Sequence, residues 1–440
     1  MTAYRDFTSE QLQAELDTLW QQYNAFTMRN LSLNMARGKP SPQQLDLSLP
    51  MLDVLPANIE ASNYNAGAAD DLRNYGGLTG IPEAKELMGA IMDVPANNVI
   101  IGGNSSLQLM YNTISAAMTH GILGSTPWAK LDGQVKFLCP SPGYDRHFAI
   151  TEHFGIKMIP VPLHPEGPDM YVVERYVNTD PMIKGIWCVP KFSNPTGAVY
   201  SLDTAQQLAR LFPAADDFRI YWDNAYAVHD FYAEKPTDSA AQNTVGLPNI
   251  KQVCEQNGNP DIWYQFASTS KITFAGAGIS ALASSDGNIK CIEEQLSYQT
   301  IGNDKLNQKR HVLFLRDLDG VREHMKKHSA IIKPKFDCVL ETLEAGLRKY
   351  RIGEWSTPKG GYFISFQGPP NTAKRTVELA GNAGVTLTPA GATYPYGNDP
   401  YDSNIRIAPT YPSPDDLQLA SEILVVCVRI ATLEQIISRR

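Results

Sequence analysis

Clusters of basic residues are missing from this chain. Its 440 residues carry a formal net charge of −8, and no run of Lys and Arg interleaved with aromatics offers a nucleic acid a surface. No stretch reaches the roughly 18 uninterrupted apolar residues of a membrane-crossing helix, so no membrane association is expected. The N-terminus, MTAYRDFTSEQLQAELDTLWQQY, is an acidic amphipathic pattern without the basic start and apolar core of an export signal. The six cysteines show no C-x-x-C spacing. Cys139 and Cys188 sit in apolar runs, as buried free thiols of a reducing compartment would. The eight histidines are read as giving no H-x-x-x-H pair, and no protein-bound metal is expected. Internal repeats and low-complexity segments are absent as well. What is left is a chain for the cytoplasm, acting on small molecules and long enough for two domains.

What is present is an alternation. A helix is predicted from Ser9 to about Arg29, with Leu12, Leu16, Leu19 and Trp20 at helical spacing behind a Ser-Glu start. Apolar runs ending in Gly, Pro, Ser, Asn or Asp then alternate with helical patterns. They are Asn98–Ser106, Val135–Tyr144, Gly185–Gly197, Arg219–Tyr226 and the segment from Ile262 to Gly278. Strands alternating with helices predict an α/β fold with a mostly parallel central sheet between helices. Ligands of such sheets bind outside the carboxyl ends of the strands. One sheet would therefore bring Ser105, Tyr144, Asn194, Asp223, Tyr226 and Lys271 to one rim. After about Gly320 a long charged helical pattern precedes two short strands, around Gly360–Phe366 and Ile405–Ile407, and a closing helix from Asp415. This predicts a second, smaller α+β domain.

The chemistry follows from the residue types. Lys271 lies in ASTSKITFAGAG, where nothing else is long or charged. Desolvation lowers an ammonium pKa, and the neutral amine is the form that condenses with a carbonyl. Asp223 ends the apolar run Ile220-Tyr-Trp, a costly place for a carboxylate unless something cationic meets it. It caps a helix or it faces a protonated ring nitrogen. Asn194-Pro-Thr-Gly197 is a turn that also supplies an amide, Tyr226 a phenol, and Tyr144 a flat ring that packs in a core or against a ligand. Gly102-Gly-Asn-Ser-Ser106 before a helix is a phosphate cradle or simply a good N-cap. Arg406, between Ile405 and Ile407, makes a salt bridge or forks a carboxylate. Taken together and in this order, they describe pyridoxal 5′-phosphate acting on an amino acid.

Asn-Pro-Thr-Gly, Asp-x-x-Tyr, Ser-x-Ser-Lys and a late Arg stand in the order found in the fold-type-I pyridoxal-phosphate aminotransferases, which the chain resembles over nearly its whole length. The strings RGKPS, RNYGGLTGIPEA, PGYDRHF, WDNAYAVH and STSKITFAGAG are similar to a bacterial branch of aspartate aminotransferases. The resemblance implies three parts: an N-terminal segment, 1–48, packing with the small domain; a large cofactor-binding domain, 49–317; and a small C-terminal domain, 318–440. It implies that Lys271 binds the cofactor and shuttles a proton. Asp223 would meet the pyridine nitrogen, Asn194 and Tyr226 the 3′ oxygen, and Tyr144 the ring face. Ser105, Ser106 and Ser268 would hold phosphate, with Tyr75 reaching it from the neighbouring subunit of a homodimer. Arg406 would grip the α-carboxylate, and Gly38 would line the substrate site. Where the family commonly has a phosphate-binding arginine, eight residues after the lysine, this chain has Ile279. Lys305 is the expected replacement, or else it binds the substrate's second carboxylate, a role also open to Arg37 and Lys39. The implied activity is transfer of an amino group from L-aspartate to 2-oxoglutarate. An aminotransferase for aromatic or 2-aminoadipate-type substrates is the alternative.

Overall fold

A computed structural model describes residues 3–55, 65–66, 70–231 and 246–440. The central sheet has eight strands. Their order across the sheet is Val99–Gly102, Ser280–Ser284, Trp263–Ser268, Arg219–Asp223, Ile183–Cys188, Lys136–Ser141, Lys157–His164 and Gly167–Pro168. Neighbours from Trp263–Ser268 to Lys157–His164 pair in parallel. Ser280–Ser284 runs antiparallel to both its neighbours, so Val99–Gly102 points the same way as the parallel set. Apolar side chains cover both faces. Met88, Ile101, Ile186, Ile220 and Ala281 belong to one core, while Ile100, Phe137, Tyr221, Phe266 and Leu282 belong to the other. Alternate residues of each strand feed opposite cores, as the period of two requires.

The five predicted strands are all present. Three more went unseen. Lys157–His164 carries two prolines, which argue against a strand; Gly167–Pro168 is two residues long; and Ser280–Ser284 (SALAS) lacks the β-branched residues that advertise one.

The smaller body holds an antiparallel sheet in the order Glu354–Trp355, Ile364–Gln367, Asn404–Ile407. The helices Leu318–Leu347, Ala373–Asn382 and Pro414–Ser438 pack around it. The predicted N-terminal helix is Ser9–Thr27, started by a reciprocal cap in which Gln11 N–H donates to Thr8 Oγ1 and Thr8 N–H to Gln11 Oε1. It buries Leu12, Leu16, Leu19 and Tyr23 in the core it shares with Pro414–Ser438; each such side chain contributes about 1.5–3 kcal/mol. Past it, Leu33–Asn34 pairs in parallel with Val385–Thr386. Hydrogen bonds from Met35 N to Thr386 O (2.9 Å) and from Ala408 N to Met35 O (3.0 Å) extend that seam. The chain's beginning is thus sewn onto its end, and both face the sheet's carboxyl rim. All six cysteines are free thiols. No helix among the described residues is long and apolar enough to cross a membrane.

Candidate active site

Between the rim and the smaller body lies a cavity of about 720 Å³, within the range that holds a small-molecule ligand. The large body supplies Tyr144, Asn194, Asp223, Tyr226 and Lys271 to its lining, and the sewn termini supply Arg37, Gly38, Lys39 and Arg406. The rim inference therefore succeeds for these residues. Arg146, which the sequence reading passed over, lines it too.

Lys271 sits in the turn that links Trp263–Ser268 to the antiparallel strand Ser280–Ser284. Its Nζ makes no hydrogen bond or ion pair with a described residue and lies 4.8 Å from the ring centre of Tyr226 and 5.7 Å from that of Tyr362. Desolvation pushes the amine's pKa below the usual lysine value, and the Asp223 charge acts the other way.

The turn is held from behind by imidazoles. His229 Nε2 donates to the Lys271 carbonyl (3.4 Å) and His324 Nε2 to the Ile272 carbonyl (2.8 Å). His328, with Nε2 3.1 Å from that of His324, is turned to the same carbonyl. Gln44 Nε2 donates to His328 Nδ1 (3.1 Å) and to the Tyr362 hydroxyl (2.8 Å). His311 donates from Nδ1 to Asn307 O (2.8 Å), which leaves Nε2 to accept from the hydroxyls of Thr269 (3.1 Å) and Thr273 (2.9 Å). Burial lowers the pKa of all four rings, that of His311 to about 4 and that of His328 to about 3. His324 and His328 stand four apart on one helix, a pairing that sequence inspection alone should have caught. Here they serve a peptide carbonyl, and no cluster of metal-ligating side chains occurs among the described residues.

Asp223 is buried at the end of its strand. Its Oδ2 is 2.9 Å from His147 Nε2, and its Oδ1 is buried without a hydrogen-bond partner. His147 also escaped the sequence reading; it follows Tyr144 by three residues, on the helix Asp145–His153, and stacks on Trp187 with ring centres 4.4 Å apart. A carboxylate with one oxygen fixed and the other unmet is a socket for a donor, and a protonated ring nitrogen fits it.

Arg406, 7% exposed, donates from Nε to Thr388 Oγ1 (3.2 Å) and from Nη1 to Asn194 Oδ1 (3.3 Å) and Asp145 Oδ1 (2.7 Å). Its guanidinium lies 5.0 Å from the Phe363 ring centre. Gly38 leaves room for that ring: a Cβ there would come within 2.4 Å of Phe363 Cζ.

The serines form a neighbouring group outside the cavity lining. Ser105 caps the helix Ser106–His120, its Oγ accepting from Leu107 N. Ser268 Oγ donates to Ser270 Oγ (3.1 Å), which donates to Asn104 O (2.9 Å). This chain ties the lysine turn to the glycine-rich loop, where hydroxyls and a helix N-terminus suit an anion. Ile279 is buried in the core under the sheet, so its side chain offers that anion nothing. Lys305 stands apart from this cavity. Its Nζ is spent on the carbonyls of Asp71 (3.1 Å) and Tyr75 (3.4 Å), and it does not line the cavity; it braces the loop that carries Tyr75. Tyr75 also stands outside the cavity, 80% exposed.

Known proteins share this sequence pattern and fold. A family profile described as aspartate amino-transferase matches residues 7–440. An aspartate aminotransferase of Corynebacterium glutamicum is 42% identical over 431 residues, 98% of this chain and 96% of its own. The crystal structure of an aspartate transaminase from that organism superposes with a TM-score of 0.92 at 41% identity, covering 99% of both chains. An alpha-aminoadipate aminotransferase from Thermus thermophilus superposes with a TM-score of 0.72 over 93% of this chain and 95% of its own. At 18% identity, that likeness is one of fold.

Proposed function

The chain belongs to the aspartate amino-transferase family, and from that membership we propose that it exchanges the amino group of L-aspartate for the keto group of 2-oxoglutarate. The products are oxaloacetate and L-glutamate, released in turn by ping-pong kinetics. The observation that carries the reading is Asp223, with one oxygen fixed by His147 and the other unmet, on the same cavity as the Lys271 amine and the Arg406 fork. Pyridoxal 5′-phosphate fits these groups, and when bound it supplies an aldehyde carbon that links to amines and a ring that takes up electrons.

The protein's own part is positional and protonic. Asp223, through its unmet Oδ1, would keep a ring nitrogen protonated, and His147 keeps Asp223 aimed. Asn194 and Tyr226 offer hydrogen bonds to a ring oxygen, and Tyr144 offers its face. Ser105, Ser106 and Ser268 receive the phosphate. Arg406 takes the substrate's α-carboxylate. With its pKa lowered by burial, Lys271 Nζ takes a proton from the substrate's Cα and gives one back. Arg37, Lys39 and Arg146 also line the cavity, an excess of cations that serves a second carboxylate and has no use for an aromatic side chain.

In this reading residues 49–317 carry the cofactor, while 1–48 and 318–440 carry most of the substrate contacts. The enzyme works in the cytoplasm as a homodimer, each subunit lending Tyr75 to the other's phosphate. The test is to load the purified protein with pyridoxal phosphate and add amino acids singly. Aspartate should bleach the absorbance of the bound cofactor, and borohydride should fix a pyridoxyl group on Lys271. Bleaching by aromatic amino acids alone would remove aspartate from the proposal.

A further inference from the structure

The fork meant for the substrate is already in use. Asp145 Oδ1 lies 2.7 Å from Arg406 Nη1, the shortest of the three contacts that guanidinium makes. The partners come from different bodies, Asp145 from the start of the helix Asp145–His153 and Arg406 from the small antiparallel sheet. Their surroundings differ as well. The Arg406 side chain is 7% exposed, whereas that of Asp145 is 34% exposed, and both line the cavity. A buried guanidinium is expensive to leave without an anion, but a carboxylate one-third in water gives up an ion pair cheaply. Of the two, Asp145 is the one that can let go. It also has somewhere to remain: as the first residue of its helix it stands among unpaired amide N–H groups, which favour a negative charge. Arg146, next in the chain, faces the same cavity.

We propose that Asp145 is a positioning residue for the substrate fork, an internal carboxylate that occupies Arg406 between turnovers and surrenders Nη1 to the α-carboxylate of either substrate. The inference rests on the amino-acid reading of the site. Binding then exchanges one carboxylate for another at Arg406, so the α-carboxylate contributes less net affinity than an uncontested fork would give. That cost is common to every ligand that uses Arg406, so Asp145 sets the affinity of the site, while the cations at Arg37, Lys39 and Arg146 supply the separate attraction that a second carboxylate draws on.

The test uses the cofactor-loaded enzyme and Asp145→Asn, which keeps shape and removes charge, with Asp145→Ala as a second variant should the first fold poorly. The dissociation constant of succinate, which binds but cannot react, is measured by calorimetry beside KM for aspartate, 2-oxoglutarate and alanine. The expected result is a succinate Kd lowered about ten-fold, the scale of one charge-assisted hydrogen bond no longer contested. KM should fall in parallel for all three, because the competition at Arg406 is met by every α-carboxylate alike. An unchanged or raised Kd would overturn the proposal, as would a fall in kcat with Kd unmoved, which would make Asp145 only a support for Arg406. If no amino acid bleaches the wild-type cofactor, the aminotransferase reading fails, and the succinate titration still decides whether Asp145 yields.

Discussion

Acidification should loosen the lysine turn through the rings that hold it. His229, His311, His324 and His328 are buried and kept neutral, with pKa values lowered chiefly by desolvation. For a base whose folded pKa is depressed, the unfolded chain takes up protons first, and stability is lost as pH falls through the unfolded value of about 6.5. The loss levels off only at the folded pKa, about 4 for His311 and about 3 for His328. Between about pH 7.5 and about pH 5, each of these two rings therefore removes about 2 kcal/mol. Together they remove ~4 kcal/mol, a large fraction of the stability of an ordinary domain. The groups around His311 do not reverse the sign: Arg310 reinforces the depression, while Asp304 and the Asn307 carbonyl only soften it. His324 adds to it at His328, where the Ile272 carbonyl softens it. The assay is urea denaturation followed by circular dichroism across that pH range, for wild type and for His311→Gln with His328→Gln. Glutamine cannot charge, so the double variant starts less stable near neutrality but should lose ~4 kcal/mol less on acidification. Parallel pH dependences in the two proteins would refute the reasoning.

Other outcomes follow from the same geometry. Lys271→Ala should cut turnover roughly 10³-fold or more and leave no lysine for borohydride to label at that position, checked by steady-state rates and peptide mapping. Arg406→Gln removes the fork and should raise KM for both substrates by roughly ten- to a hundred-fold, read in initial rates. Gly38→Ala drives a methyl into Phe363 and disturbs the surface under Arg406, costing succinate binding on the order of 1–3 kcal/mol by calorimetry. If Tyr75 completes the neighbouring subunit's site, mixing Tyr75→Ala with Lys271→Ala should recover activity. One site of each mixed dimer would then carry both lesions and the other neither. No recovery after subunit exchange would place Tyr75 elsewhere.

The rim of the sheet was legible because every predicted strand ends its apolar run with a polar or turn residue on the same side, and parallel strands must gather those ends. Tyr144, Asn194, Asp223, Tyr226 and Lys271 are found together for that reason. The partners of these residues were less legible, because a hydrogen bond between side chains far apart in sequence leaves no local pattern. Asp145 and Arg406 are 261 positions apart, and His147 and Asp223 are 76 apart. The imidazoles behind Lys271 come from the segment after Asp223, the helix Lys305–Leu315 and the helix Leu318–Leu347, and only His324 and His328, both on the last of these, share a readable spacing. For Lys305 the sequence shows only a charge; that its ammonium meets the backbone oxygens of Asp71 and Tyr75 is visible only in three dimensions. Position 279 was read correctly as lacking a cation, but the reason is visible only in three dimensions, where the residue turns into the core.

The seam joining residues 33–35 to 385–386 and 408 has a consequence for how this protein can change. Thr388 Oγ1 reaches the Ala36 carbonyl and Thr410 Oγ1 that of Lys39, so the Arg37–Lys39 loop and the strand bearing Arg406 form a single mounting. Under the proposed function, the groups that discriminate among incoming acids ride mostly on that mounting, while Asp223, Lys271 and the serines belong to the opposite side of the cleft. Selectivity and chemical competence would then reside on separate pieces of polypeptide. A designer seeking a new amino donor should transplant both termini as a unit and leave the interior strands alone.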